Sequence, residues 1–314
     1  MSARRIRFDS PYSSFKMNAL ILAAGLGTRL KPITDIIPKP LLPIVDRPII
    51  EINIERLMSL GIENIGINLF HKADLVKNIV NKKSRRLCVI IEDKLSGTGG
   101  PLLKFKKLMK GDLMIHNCDV LSNINLSEAI RFHKFHKPLA TLLLTKNPGT
   151  NFFKITKDSR IVEFARKDKK EHYTFTGIAI LSERIAGYLP NREYFGIVDD
   201  VYQKLIENKE SIMGVPSKEV WYDIGNPNTY WQVHHDILNK KTKFHGVNVD
   251  PYFYIHHSSV VRTKNLSGFV CIGPNCTIAE KVQLKNTVVF ENSEIDKGNF
   301  ENCLVSEKFH IKIK

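Results

Sequence analysis

Near the C-terminus, Val260, Leu266, Ile272, Ile278, Leu284 and Phe290 stand at every sixth position. Val270, Cys276, Val282 and Val288 keep the same period two residues earlier. No α-helix has that repeat, because its faces recur every three or four residues. A hexapeptide period suits a parallel β-helix, in which each short wall contributes one inward apolar side chain and successive coils stack. The length of the periodic segment allows about three coils. A boundary between this tail and the rest of the chain is expected near Thr242–Gly246, giving a segment 244–314.

Upstream the pattern is different. Strand candidates at Asn18–Ala24, Ile62–Leu69, Leu87–Ile91, Leu113–His116 and Leu139–Thr145 alternate with amphipathic stretches, among them Pro48–Leu60 with Ile50, Ile54 and Leu57 on one face. Such alternation predicts a doubly wound α/β sheet, mixed but mainly parallel. A hairpin turning at Lys157–Ser159, a strand at YTFTGIAIL and helices at Val198–Ile206 and Asn228–Leu238 complete a segment 17–243. Residues 1–16 are polar and aperiodic and read as a flexible extension, with Met17 as an alternative start. Ligands of doubly wound sheets sit beyond the carboxyl ends of the strands. The glycine loop after Ala24 and Asp119 after the Leu113–His116 strand fall at such ends.

That glycine loop opens the stretch LAAGLGTRLKPITDIIPKPLLPI, Leu22–Ile44. Gly25 and Gly27 permit positive φ and close backbone approach, so the loop can form a nest of N–H groups for phosphate. Arg29 adds a planar, permanently charged fork. Lys39 is held between Pro38 and Pro40, which keep its backbone extended. The string is neither a P-loop nor a dinucleotide-binding GxGxxG.

The whole stretch resembles the pattern LAAGxGTRLxPxTxxxPKPLxPI of the sugar-1-phosphate nucleotidyltransferases, in particular the mannose-1-phosphate guanylyltransferase type. The resemblance continues through GTGG at 97–100, the acidic residue after the 113–116 strand, FTGIAIL at 175–181 and WYDIGNPNTYWQVH at 221–234. A left-handed hexapeptide-repeat tail is also common in that family. The resemblance implies an enzyme that joins a nucleoside triphosphate to a sugar 1-phosphate and releases pyrophosphate. Its nucleophile, a phosphate oxygen, is ionised at neutral pH, so no general base is needed. Positioning and charge neutralisation are the tasks left to the protein.

By the same resemblance, Leu22, Ala23, Ala24, Gly25, Gly27 and Thr28 cradle the nucleotide. Arg29 holds the triphosphate and leaving pyrophosphate, Lys39 neutralises charge at the reacting phosphates, and Lys167 meets the sugar phosphate. Asp119 and Asp223 bind Mg²⁺, a cation that favours one or two carboxylates plus phosphate oxygens. Taken singly, Asp119 also fits a helix N-cap and Asp223 a turn carboxylate. Thr98, Gly99 and Gly100 approach the base, with Gly97 beside them, and Thr176 and Gly177 form the sugar-site loop. Two departures stand out: Arg166 replaces an acidic residue usual before Lys167, and Cys118 replaces a frequent glycine. A packed, unreactive Cys118 is expected. GTGGPL favours GTP with a mannose- or heptose-type sugar 1-phosphate. The alternatives are UTP or dTTP with a glucose- or N-acetylmuramate-type partner, or a non-catalytic regulatory paralogue.

Composition narrows the remaining classes. No apolar run approaches the ~20 residues of a membrane helix, and no apolar segment follows Arg4, Arg5 and Arg7 as in a secretory signal. Five cysteines form no CxxC pair, which argues against a zinc site or disulfide framework and for a reducing cytoplasm. The formal charge of +15 is spread along the chain. Without a helix-turn-helix, zinc-finger or RNP pattern it reads as a basic surface suited to anionic substrates rather than a nucleic-acid interface. A homo-oligomer through the tail is a further expectation.

Overall fold

The computed structural model describes residues 17–81, 84 and 86–313; the 1–16 extension lies outside them. Its centre is a mixed sheet. Strands β1 (Asn18–Leu22), β2 (Ile65–Leu69), β3 (Leu87–Ile91), β4 (Leu113–Asn117), β5 (Ala140–Thr145), β6 (Phe152–Ile155), β7 (Ile161–Ala165), β8 (Tyr173–Leu181) and β9 (Ile212–Ser217) share it. Its main order is β3-β2-β1-β4-β8-β5-β9, and the β6–β7 hairpin joins through β6 on β8. The first four of that order run parallel, β8 runs antiparallel to β4 and β5, and β9 is parallel to β5. The near-continuous apolar runs of β2 and β5 are buried along their whole length, as strands covered on both faces require.

Alternate residues feed the two faces. Ala19, Ile21, Ile178 and Ile180 point into one core with helices α1 (Ile49–Ser59), α2 (Ala73–Val80), α3 (Leu126–His136) and α4 (Pro227–Leu238). Leu20, Ala179 and Leu181 point into the other, against Phe105, Phe195 and Tyr202. Strand pleating alone produces this partition.

The tail is built on strands β10 (Phe253–Ile255), β11 (Leu266–Ile272), β12 (Thr277–Val289), β13 (Glu294–Ser306) and β14 (Phe309–Lys312). Parallel partners are offset by one coil's length of chain: Val270 pairs with Thr287, Ile278 with Ile295, and Leu284 with Phe300. This is compatible with a β-helix. Asparagines at left-handed turns stack between coils, Asn275 on Asn292 at 3.2 Å and Asn286 on Asn302 at 3.0 Å.

The sixfold period holds only in part. Ile272, Cys276, Ile278, Val282 and Leu284 fill the interior of the tail. After Asn286, at φ 49°, the register slips: Val289 turns inward, and Phe290 faces the α/β core, stacking on Tyr230 at 5.6 Å. Val260 is 50% exposed: it pairs with Thr277, while the next residue, Val261, pairs with the buried Ile278 and packs on the interior in its place. β14 folds back antiparallel on β13 and closes the stack. Phe269, Cys271, Val288 and Leu304 join the same core as α4, so the 17–243 and 244–314 segments share one continuous apolar interior.

Candidate active site

The carboxyl ends of β1 and β4 open toward a shared cleft. After β1, Gly27 takes φ 66°, and Thr34 Oγ1 donates to its carbonyl at 2.9 Å, fixing the turn. Gly25 was expected to share the positive φ and does not; a Cβ there meets nothing within 4 Å. Its missing side chain leaves open space above the loop. Thr28 and Arg29 follow in a single 3₁₀ turn, Thr28–Leu30. Pro38 is extended, but Lys39, expected to be extended as well, instead begins a second such turn, Lys39–Leu41.

A short antiparallel ribbon brings the two acids together. Val120–Ser122 pairs with Trp221–Asp223, and Ile224 N–H donates to Asp119 O at 2.9 Å. Lys39 Nζ forms an ion pair with Asp119 Oδ2. Arg29 reaches the same place over Gly225: a Cβ there would sit 2.7 Å from Arg29 Nη2 and 3.2 Å from Asp223 Oδ1. Arg29, Lys39, Asp119 and Asp223 therefore line one cleft. Burial lifts the Asp223 carboxyl above its ordinary value, and the Asp119 charge adds to this, while Lys39 and Arg29 oppose it.

Asp223 Oδ1 is buried without a hydrogen-bond partner. An orphaned carboxylate oxygen beside a second carboxylate fits a hard divalent cation. Among the described residues no third acid, histidine or cysteine completes a metal cluster. Such an ion would take its remaining ligands from water or a bound phosphate, as suits Mg²⁺.

A cavity of about 230 Å³ adjoins the acids, lined by Thr98, Asn117, Arg166, Gly177, Asp199 and Asp223 among others. Thr176 also lines it, but its hydroxyl is spent on Leu143 O at 2.8 Å, and its carbonyl accepts from Trp221 Nε1 at 2.9 Å. Gly177, at φ 80°, lies where a Cβ would strike the Asn117 side chain. Lys167 is exposed, with no hydrogen bond or ion pair among the described residues. From the same hairpin it is Arg166 that lines the cavity, bound to Asn151 Oδ1 and Asp199 Oδ1.

The 97–100 loop is closely packed. Gly97, at φ 75°, and Gly99 pack on Phe195, and Gly100 packs on the carbonyls of Glu193 and Ser96. A Cβ on Gly99 would lie 2.2 Å from the Phe195 ring. Packing against the 193–195 segment by itself requires residues without a side chain here. Thr98 is the exposed member, and its Oγ1 accepts from Ile197 N–H at 3.0 Å. Cys118 is buried, and burial together with the Asp119 charge keeps its thiol protonated; Asn53 Nδ2 donates to its carbonyl at 2.9 Å.

A buried polar chain that the sequence did not disclose ties the two loops together. Ala23 N–H donates to Asn68 Oδ1 (3.0 Å), and Asn68 Nδ2 donates to Glu92 Oε1 (2.9 Å). Glu92 Oε2 accepts from the Ser96 amide (3.0 Å) and hydroxyl (2.8 Å). The available signal was a polar residue at the carboxyl end of each of two neighbouring parallel strands, one buried and one half-buried. Arg56 similarly braces the turn beyond Asp119, donating to Ser122 Oγ at 3.0 Å.

The cleft lies at the carboxyl edge of a doubly wound sheet and sets two fixed cations, Arg29 and Lys39, beside two carboxylates. The sequence pattern of the Nucleotidyl transferase family matches residues 18–240, and the chain belongs to that family. It is similar to a UTP–glucose-1-phosphate uridylyltransferase of Synechocystis, at 26% identity over 90% of this chain and 85% of the relative. A mannose-1-phosphate guanylyltransferase 1 of Arabidopsis thaliana is 28% identical over 90% of this chain and 83% of its own. The fold is shared with a crystal structure of HddC from Yersinia pseudotuberculosis complexed with GMP-PN (TM-score 0.61, 24% identity, 70% of this chain and 99% of that one).

Proposed function

We propose that the protein joins a nucleoside triphosphate to a sugar 1-phosphate, forming an NDP-sugar and pyrophosphate, with GTP and a mannose- or heptose-type sugar 1-phosphate as its substrates. The observation that carries this reading is the meeting of Arg29, Lys39, Asp119 and Asp223 around one cleft.

A sugar-phosphate oxygen attacks the α-phosphorus; one P–O bond forms and the bond to the β-phosphate bridging oxygen breaks. No proton need be removed from the nucleophile. The obstacle is repulsion between polyanions, which fixed cations at short range reduce most in a partly dry cleft. Arg29 and Lys39 supply that charge at the leaving and reacting phosphates. Asp119 and Asp223 hold Mg²⁺, which neutralises phosphate charge when bound. Thr98, Thr176 and Gly177 shape the walls, and the Gly25–Thr28 turn receives the triphosphate. Lys167 reaches the sugar phosphate only if its exposed side chain swings inward.

The tail is read as a short left-handed parallel β-helix, supported by its coil-length strand offsets. A cytoplasmic setting is supported by five free cysteines, and assembly of copies through the tail by the exposed apolar side chains of Tyr252, Phe253, Ile255 and Val260. The uridylyltransferase relative supports a second reading with UTP and glucose 1-phosphate. A matrix of nucleoside triphosphates against sugar 1-phosphates, read by pyrophosphate release, tests both. Release from GTP with mannose or heptose 1-phosphate supports the first; release from UTP alone selects the second; none from any pair rejects the proposal.

A further inference from the structure

A second cavity, of about 510 Å³, lies away from the acids, between the lysine-bearing turn and the tail. One wall is Ile37, Pro38, Leu41 and Val45; the facing wall is Cys271, Val288 and Phe290. Tyr230 and His234 of α4 line it as well, yet their polar atoms are already used. Tyr230 Oη donates to Pro43 O at 2.6 Å, His234 Nε2 accepts from Val45 N–H at 3.1 Å, and His234 Nδ1 donates to Tyr230 O at 2.9 Å. The interior is thus an apolar surface with its hydrogen bonds closed off. Its volume and lining are those of a small-molecule site.

Asn78, Tyr254 and His256 add polar atoms to the lining, and His256 and Arg47 act on the Asp46 charge; the acidic groups left to a ligand are at the edge. Asp46 and Glu291 line the cavity, are exposed, and form no ion pair among the described residues. Arg47, next to Asp46, is committed to Glu55. No lysine or arginine lines the cavity, in a chain whose formal charge is +15. This is the opposite of what a phosphorylated ligand needs. It suits a molecule whose apolar body enters while a cationic head stays at the rim, paired and partly hydrated.

The location gives the cavity a consequence. Pro38 and Leu41 form the wall on either side of Lys39, whose side chain leaves for the catalytic cleft. The next turn is held in an uncommon conformation, Val45 at φ 60°, by its contact with His234. We propose that this cavity is a second ligand site, for a small molecule with an apolar body and a protonated amine, and that filling it steadies the Pro38–Leu41 turn that presents Lys39.

The test uses the full-length protein and three probes of one shape: phenethylamine, phenethyl alcohol and phenylacetate. Binding is read by ligand-observed NMR and calorimetry, so the result does not depend on which reaction the protein catalyses. The amine should bind about fivefold more tightly than the alcohol, and phenylacetate least. The double substitution Asp46→Asn, Glu291→Gln should remove that preference. Leu75→Trp, at a 52% exposed position of the lining, should weaken all binding without touching the core. Amide exchange at Leu41 and Leu42 should slow when the amine binds. Equal binding of the three probes, an unchanged preference in the double variant, no binding up to about 10 mM, or unaltered exchange at Leu41 and Leu42 would each overturn the proposal.

Discussion

Lys39 Nζ is ion-paired with Asp119 Oδ2, although 80 positions separate them in the chain. One partner comes from a proline-flanked turn and the other from the end of a central strand. Their side chains are only 14% and 23% exposed, so the pair is not a surface ornament. The pair anchors the ammonium within reach of the cleft and partly offsets the repulsion between Asp119 and Asp223. Lys39→Met should lower kcat by about 100-fold, the scale of losing one fixed charge at a reacting phosphate. Steady-state pyrophosphate release checks this; a change confined to KM would assign Lys39 to uniform substrate binding instead.

Gly99 has its own test. Adding a methyl group there drives it into the Phe195 ring. Gly99→Ala should cost about 2 kcal/mol of stability, in the range for forced overpacking, measured by urea unfolding. Unchanged stability together with altered nucleotide preference would return the loop to a base-reading role.

Arg166 spans the cleft from β7 to Asp199 and lies over the Phe164 ring at 5.2 Å. Loss of this clamp should act on the smaller substrate. Arg166→Ala should raise KM for the sugar 1-phosphate about tenfold, the equivalent of one good hydrogen bond, and leave KM for the triphosphate within about twofold. An effect on the triphosphate alone would relocate the sugar site.

His116 and His234 are fully buried, and burial lowers each to about 4 from 6.5. Protonation therefore favours the unfolded chain. Their stabilising contribution is complete above pH 6.5 and is lost as pH falls from there toward 4. Each can account for about 3 kcal/mol over that window. His234→Asn should be less stable at neutral pH, where the Val45 contact is lost, and should show a shallower acid slope in denaturant titrations. A slope equal to that of the wild type would exclude His234 as a contributor.

The elements nearest to local rules were the ones visible in sequence. The glycine turn, the proline-held Lys39 and the alternating strands each follow from a few adjacent residues. Distant pairing was legible only through the family resemblance, which put Asp119 and Asp223 on one cation: nothing near Asp119 itself announces that Trp221–Asp223 will lie beside it. The glycines at 97–100 were visible, but their neighbour Phe195 was not, so the packing requirement they meet could not be read from the sequence. The sixfold period held from Leu266 to Leu284 and failed at Val260 and at Phe290, where contact with Tyr230 outweighs coil symmetry. Lys167 was chosen by motif position, which does not fix the direction of an exposed side chain.

The central claim is that the Asp223 carboxylate belongs to the reaction and not to the scaffold. Its unpartnered Oδ1 and raised pKa mean that removing it relieves the folded state. The most direct measurement is Mg²⁺-dependent pyrophosphate release by the wild type and by Asp223→Ala, with thermal unfolding of both in metal-free buffer. Release should need both substrates and Mg²⁺ and fall about 1,000-fold in the variant, whose melting temperature should be no lower than that of the wild type. Comparable turnover in Asp223→Ala would contradict it.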